Sequence, residues 1–134
     1  MNLAPLANAP WAVQLHVATV VPAFFIGTWL LAFSRKGAPH HRALGYVYLA
    51  LMAITSFTAL FVHRTNPEGV FGFSPIHIFV PLTLAGIAEA LYAARTHQIR
   101  RHRYAMIGTY VSALLIAGAF TFLPGRIMHA VVFD

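Results

Sequence analysis

The sequence predicts an all-α integral membrane protein, a four-helix bundle running up-down-up-down with both termini outside. Three observations predict it. The 134 residues are 59% hydrophobic and 9% charged, with a mean hydropathy of +0.70, more apolar surface than a soluble domain of this length hides. Four apolar stretches approach the roughly 20 residues that a helix needs to cross the hydrocarbon core. The basic residues fall in short runs between those stretches, which is how membrane topology is written.

The first stretch, Trp11 to Phe33, follows Pro10 and contains Pro22. The second, His41 to Val62, opens just after Pro39, and proline costs least in a first helical turn. The third, Pro75 to Ala94, begins on a proline and carries Pro81. The fourth, Arg103 to Leu123, stops at Pro124 and Gly125. Pro22 and Pro81 are expected to bend their helices. The tail from Arg126 to Asp134 is too short to span and is expected along the outer surface. The loop after the first stretch carries Arg35, Lys36 and Arg42. The loop after the third carries Arg95, Arg100, Arg101 and Arg103, whereas the opposite side has only Arg64 and Arg126. The positive-inside rule then puts both basic loops in the cytoplasm, and short connections make neighbours antiparallel. The chain reads as one domain, residues 1–134. No cation precedes the first apolar run, so no signal peptide is expected. The absence of cysteine excludes disulfide, iron–sulfur and thiol chemistry. The net charge of +6 belongs to topology, not to nucleic acid.

Eight histidines fall into two layers. His16, His63, His77 and His129 lie near the outer surface, and His40, His41, His97 and His102 near the cytoplasmic one. On a helix, residues three, four and seven apart share a face. From His40 that face runs Leu44, Val47, Leu51 and Ile54, a lipid-facing stripe. From His41 it runs Gly45, Tyr48, Met52, Thr55 and Ala59, the small or polar surface used between membrane helices. His41 therefore faces the bundle and His40 the headgroups. His16 shares a face with Thr19, Ala23 and Gly27, and His102 with Ala105, Thr109 and Ala113. His77 is expected on a face with Pro81, Leu84 and Ala88. Small residues either let backbones approach or leave room for a flat ligand.

Alternate helices of such a bundle lie diagonally. His16 with His77, and His41 with His102, would then form two bis-histidine haem sites stacked across the membrane. Iron held by two imidazoles carries electrons instead of activating oxygen. Arg42 and Arg103 directly follow the inner ligands and suit haem carboxylates; Arg126 or Arg64 could serve the outer site. A rival ligand set is the outer quartet His16, His63, His77 and His129, since imidazoles suit zinc, copper or nickel, with no acid near it except Glu68 and Asp134. Glu89 is the only acid inside a membrane segment. Arg42, His41 and His102 are its candidate partners, and a packing salt bridge, a proton relay or support of a ligand histidine are its candidate roles. Tyr48, Tyr92 and Tyr110 read as interfacial or packing aromatics. Phosphate-loop, nucleophile-elbow, paired-acid and zinc-protease signatures are absent from the sequence.

The stretches "WAVQLHVATVVPAFFIGTWLL", "HHRALGYVYLALM", "FSPIHIF", "IRRHRYAMIGTY" and "LPGRIMH" resemble a family of small bacterial membrane proteins known as a domain of unknown function, number 2306. That resemblance implies a multi-pass protein of the bacterial inner (cytoplasmic) membrane and carries no activity with it. The architecture is also similar to the two-haem cytochromes b of membrane ferric reductases and ascorbate-linked cytochromes. By position, that likeness assigns ligand roles to His16 with His77 and to His41 with His102. His41 and His102 stand at the very start of their segments, a departure from those cytochromes that favours the outer site. The expected function is a haem-b-binding transmembrane electron carrier, with one or two haems per chain. It would work between a quinol or other donor and a partner, with Glu89 supporting the inner site and a partner membrane protein or a second copy beside it. The alternative is a non-redox accessory subunit or a small transport or metal-binding component.

Overall fold

A computed structural model describes residues 1–62 and 75–134 of the chain; His63, Arg64 and Glu68 lie outside them. Helix is the only regular secondary structure among the described residues. A short α1 (Ala4–Ala7) precedes α2 (Trp11–Ala32) and α3 (Pro39–Ala59). A 3₁₀ turn (Pro75–Ile78) leads into α4 (Phe79–Arg95). Then come α5 (Ile99–Phe120) and α6 (Ile127–Phe133). Within α5 the stretch Tyr110–Ile116 is wound as a π-helix. Helices α2, α3 and α5 are each long and apolar enough to cross a membrane. Alone, α4 has 17 residues, about 25 Å at 1.5 Å per residue, short of a hydrocarbon core of about 30 Å.

The helices are small and polar inside and apolar outside. Along α2 the buried residues are Ala12, Thr19, Ala23, Gly27 and Leu30, while Phe24, Phe25 and Trp29 are exposed. Lipid covers such an exterior at no cost, and small interior residues let helices approach closely. The faces expected for His16 and His41 appear in the burial pattern: Tyr48, Met52 and Thr55 are buried, and His40, Val47 and Ile54 are exposed, but Leu44 and Leu51 of the expected lipid-facing stripe are half-buried against the core.

Contacts between α2 and α3 march in opposite directions along the two helices. The Thr55 hydroxyl donates to Thr19 Oγ1 at 2.8 Å, Tyr48 lies on Gly27, and Ser34 Oγ meets His41 Nδ1 at 3.0 Å. These two helices are antiparallel, and so are α4 and α5, where Glu89 pairs with Arg101 and Gly86 touches Thr109. Further contacts join α3 to α4 and α2 to the π-wound stretch of α5. Tyr110 Oη lies 2.7 Å from Thr28 Oγ1, and the Tyr48 and Tyr110 rings both rest on Gly27. A Cβ at Gly27 would sit 2.8 Å from Tyr48 Cε2 and 3.0 Å from Tyr110 Cδ2. The Tyr48 and Thr109 hydroxyls are buried with no hydrogen-bond partner among the described residues.

Three expectations change, and the tail gains a defined partner. Helix α5 begins at Ile99, four residues before Arg103, because hydropathy marks where lipid begins and not where a helix begins. Pro81 is the third residue of α4, where its missing N–H was unpaired in any case, so it does not interrupt the ladder of an internal turn. The tail forms α6 and packs on α1, with Asn2 N–H donating to Val131 O at 2.9 Å. The face of α4 that turns inward carries Val80, Thr83, Ala90 and Ala93, while Pro81, Leu84 and Ala88 are exposed. His77 sits in the 3₁₀ turn, which has three residues per turn instead of 3.6. Its stripe therefore continues through position 80 and not 81.

His97 closes α4. Gln98 N–H donates to Ala93 O at 2.8 Å and His97 N–H to Ala94 O at 3.3 Å, the paired bonds of a Schellman motif. That motif puts His97 at φ +56°, a region that costs an L-residue about 1 kcal/mol or more. His97→Gly should therefore raise stability by about 1 kcal/mol in thermal unfolding of the detergent-solubilised protein. A less stable variant would mean that the imidazole makes a contact worth more than the strain.

Candidate functional site

At the basic end of the helices, His41 is the third residue of α3 and His102 the fourth of α5. His102 Nδ1 lies 2.8 Å from Ala90 O. A carbonyl only accepts, so Nδ1 carries the proton, and the lone pair of the neutral ring is on Nε2. Ser34 Oγ holds His41 through Nδ1 at 3.0 Å, with a hydroxyl that can either accept from that nitrogen or donate to it. Lys36 Nζ turns back to donate to Leu30 O in the last turn of α2. Burial, and after it the charge of Arg103, hold the Lys36 ammonium below the ordinary lysine range. Two imidazoles, Lys36 and Arg103 thus stand at the same end of the helices, with Arg42 exposed beside His41. Neither α3 nor α5 has an acidic residue in its first turn.

Two other imidazoles dock on one turn of α3 at the opposite end. His16 Nδ1 lies 2.9 Å from Thr55 O and 3.2 Å from Thr58 Oγ1. Thr55 and Thr19 extend this into a ladder of hydroxyls ending on Leu15 O and His16 O. His77 approaches the same turn from the 3₁₀ segment, with Nε2 3.1 Å from Ala59 O. The two rings use opposite nitrogens: His16 keeps Nε2 for another partner, whereas His77 gives its Nε2–H to a carbonyl. The small stripe of α2 is filled from α3 and α5 by Thr55, Tyr48 and Tyr110, so its small residues serve close approach.

Glu89 has a different partner from those expected. Its carboxylate takes two bonds from Arg101, Nε to Oε1 and Nη2 to Oε2, the second at 2.9 Å. Neither Arg42, His41 nor His102 pairs with it, and the acceptor that orients His102 is a backbone carbonyl. The turn at 96–98 folds Arg101 back beside Glu89, and the Arg101 guanidinium lies 5.3 Å from the centre of the Tyr92 ring. No group of three or more histidine, cysteine or acidic side chains comes together as a metal site among the described residues. The rival quartet is not assembled by His16, His77 and His129, and His63 lies outside the described residues. His129 is held by Phe122 O at 2.8 Å.

Sequence reading missed Ser34, the Ala90 and Ala59 carbonyls, Thr58 and Lys36. Ser34 stands seven residues before His41, in the loop between α2 and α3, and a backbone carbonyl has no signature in side-chain pattern. Thr19 and Thr55 were visible, as the polar members of the two histidine faces. A family model described as "Predicted membrane protein (DUF2306)" matches residues 13–132. No curated protein and no solved structure matches the chain.

Proposed function

Since this chain belongs to the DUF2306 family of predicted membrane proteins, a description that stops at the bilayer, we infer that its activity lies in the histidine corner: a haem-b-binding electron carrier. In this reading Pro75–Ile78 and α4 together make the fourth span, and the bundle runs up-down-up-down. Both termini are outside, and the basic corner faces the cytoplasm of a bacterial inner membrane.

One observation carries the reading. His41 and His102 stand in the first turns of α3 and α5, which are not consecutive but start at the same end of the bundle, and each ring is hydrogen-bonded at Nδ1. Anchoring of this kind orients an imidazole and raises its basicity toward a metal at Nε2. The charges would suit a dianionic porphyrin, with Arg42 and Arg103 next in the chain to the two imidazoles for its carboxylates and no acid in either first turn to repel them. Two turns further along each helix, about 10.5 Å at 1.5 Å per residue, stand the unpartnered hydroxyls of Tyr48 and Thr109. Haem held by two imidazoles supplies one-electron transfer and leaves no open coordination position. The chain's own part is to orient the two rings, neutralise the carboxylates and keep water out with Tyr48 and Met52. The outer pair fits less well as placed, because His77 would have to release Ala59 O to present Nε2. A quinol, or a partner membrane protein, is the donor class this reading requires.

The test is a dithionite-reduced minus oxidised visible spectrum of the detergent-purified protein, with haem quantified per chain. A b-type α-band at about one haem per chain is expected from a single bis-histidine site. A featureless spectrum after expression with ample haem overturns the reading. Colourless protein that co-elutes with a larger chain would instead establish a non-redox accessory subunit, its imidazoles serving only as helix ties.

A further inference from the structure

A shallow, open surface groove of about 610 Å³ lies between Glu89 of α4 and the start of α5, lined by Glu89, Gln98, Arg100, Arg101, Tyr104 and Ala105. Small-molecule sites run from about 300 to 1,000 Å³. The haem reading leaves this groove unused. Of its charged groups, Arg100 alone is uncommitted among the described residues. Arg101 is held by the Glu89 carboxylate, by Gln98 Oε1 at 3.4 Å and by the Tyr92 face. Gln98 Nε2 donates to Thr96 Oγ1 at 2.9 Å. Arg100 has no hydrogen bond or ion pair among the described residues. Two arginines against one carboxylate leave the groove with one unbalanced positive charge, and the carboxylate that would repel an anion is already neutralised. Beyond the polar end, exposed Tyr104 carries the wall along α5 toward its apolar stretch.

We propose that this groove binds an anionic phospholipid, its phosphate on the Arg100 guanidinium and its glycerol and first acyl carbons along Tyr104 and Ala105. A free guanidinium offers two parallel N–H donors to a phosphate. The polar-to-apolar gradient of the groove matches a lipid and not a soluble anion. Basic pockets at this level of membrane proteins hold acidic headgroups at about 1 kcal/mol per cation, about a fivefold preference.

The test uses the purified full chain in detergent, with equal amounts of phosphatidylglycerol and phosphatidylcholine, and counts retained lipid by native mass spectrometry. Phosphatidylglycerol should be retained about fivefold over phosphatidylcholine. Arg100→Gln should abolish the preference and Arg95→Gln, outside the groove, should keep it. Glu89→Gln frees the Arg101 charge inside the groove and should raise retention, an effect that a merely structural role for the pair would not produce. Equal retention of the two lipids, or equal loss in the two arginine variants, overturns the proposal. So does displacement by millimolar inorganic phosphate, which would make the ligand a free phosphate. Arg100 is exposed, so its variant tests the site and not the fold, and the readout does not depend on whether haem is bound.

Discussion

His41→Ala and His102→Ala should each remove the same haem, so that either variant purifies with its α-band reduced at least about tenfold, as loss of a direct ligand must exceed loss of its support. The two imidazoles come from helices that are not neighbours in the chain, and neither can be replaced by the other. Each is set by its own anchor: the Ser34 hydroxyl at 3.0 Å and the Ala90 carbonyl at 2.8 Å. Ser34→Ala leaves the His41 ring in place but frees its rotation and should weaken haem retention by about 10- to 100-fold, the usual effect of removing a ligand's hydrogen-bond partner. His40→Ala is the control, because His40 is exposed and has no hydrogen bond from its side chain among the described residues. The measurement is the reduced-minus-oxidised spectrum with haem per chain. If both single variants keep a wild-type spectrum, the assignment to this pair fails even in a coloured protein. His16 and His77 would then be the pair to replace.

Gly86→Ala should destabilise the protein by about 1–3 kcal/mol, the usual cost of forcing an extra carbon into a packed interior. Thr109→Ala in the same chain should recover most of it. A Cβ at Gly86 falls on Thr109 Oγ1, while Thr109 Cβ is 3.6 Å away, an ordinary contact. Removing the hydroxyl thus removes the clash and leaves the helices where they are. Thr109→Ala alone should be close to neutral or slightly stabilising, because Thr109 is buried, at 4% exposure, and its hydroxyl has no partner among the described residues. Deleting an unpaired buried polar group forfeits no hydrogen bond. A double-mutant cycle in detergent, followed by thermal or denaturant unfolding, reads the coupling directly. Additive effects of the two changes would place the Gly86 clash on some other group and would deny the close approach of α4 and α5.

Much of this protein was determined by the sequence alone, wherever the relevant physics repeats at a fixed step. Apolar length marked where the long helices run, because about 30 Å of hydrocarbon must be crossed whatever the packing. The 3.6-residue period separated His41 from His40 and put Thr19, Ala23 and Gly27 on one face, because α2 and the relevant part of α3 are regular α-helix. The period lost its phase at Pro75–Ile78, where a 3₁₀ turn advances the chain by a larger angle per residue and moves the inward face of α4 to Val80 and Thr83. It gave no warning of the π-winding at Tyr110–Ile116, since a ladder shifted by one residue leaves no mark on composition. Tertiary structure decided the partners. Glu89 meets Arg101 because a left-handed His97 reverses the chain between α4 and α5, and His102 is oriented by a carbonyl of the helix beside it. His16 and His77 are both tied to one turn of α3. A periodic pattern says which side of a helix turns inward, but the atom waiting there belongs to another helix. Only the packing of the two backbones brings them within hydrogen-bond reach.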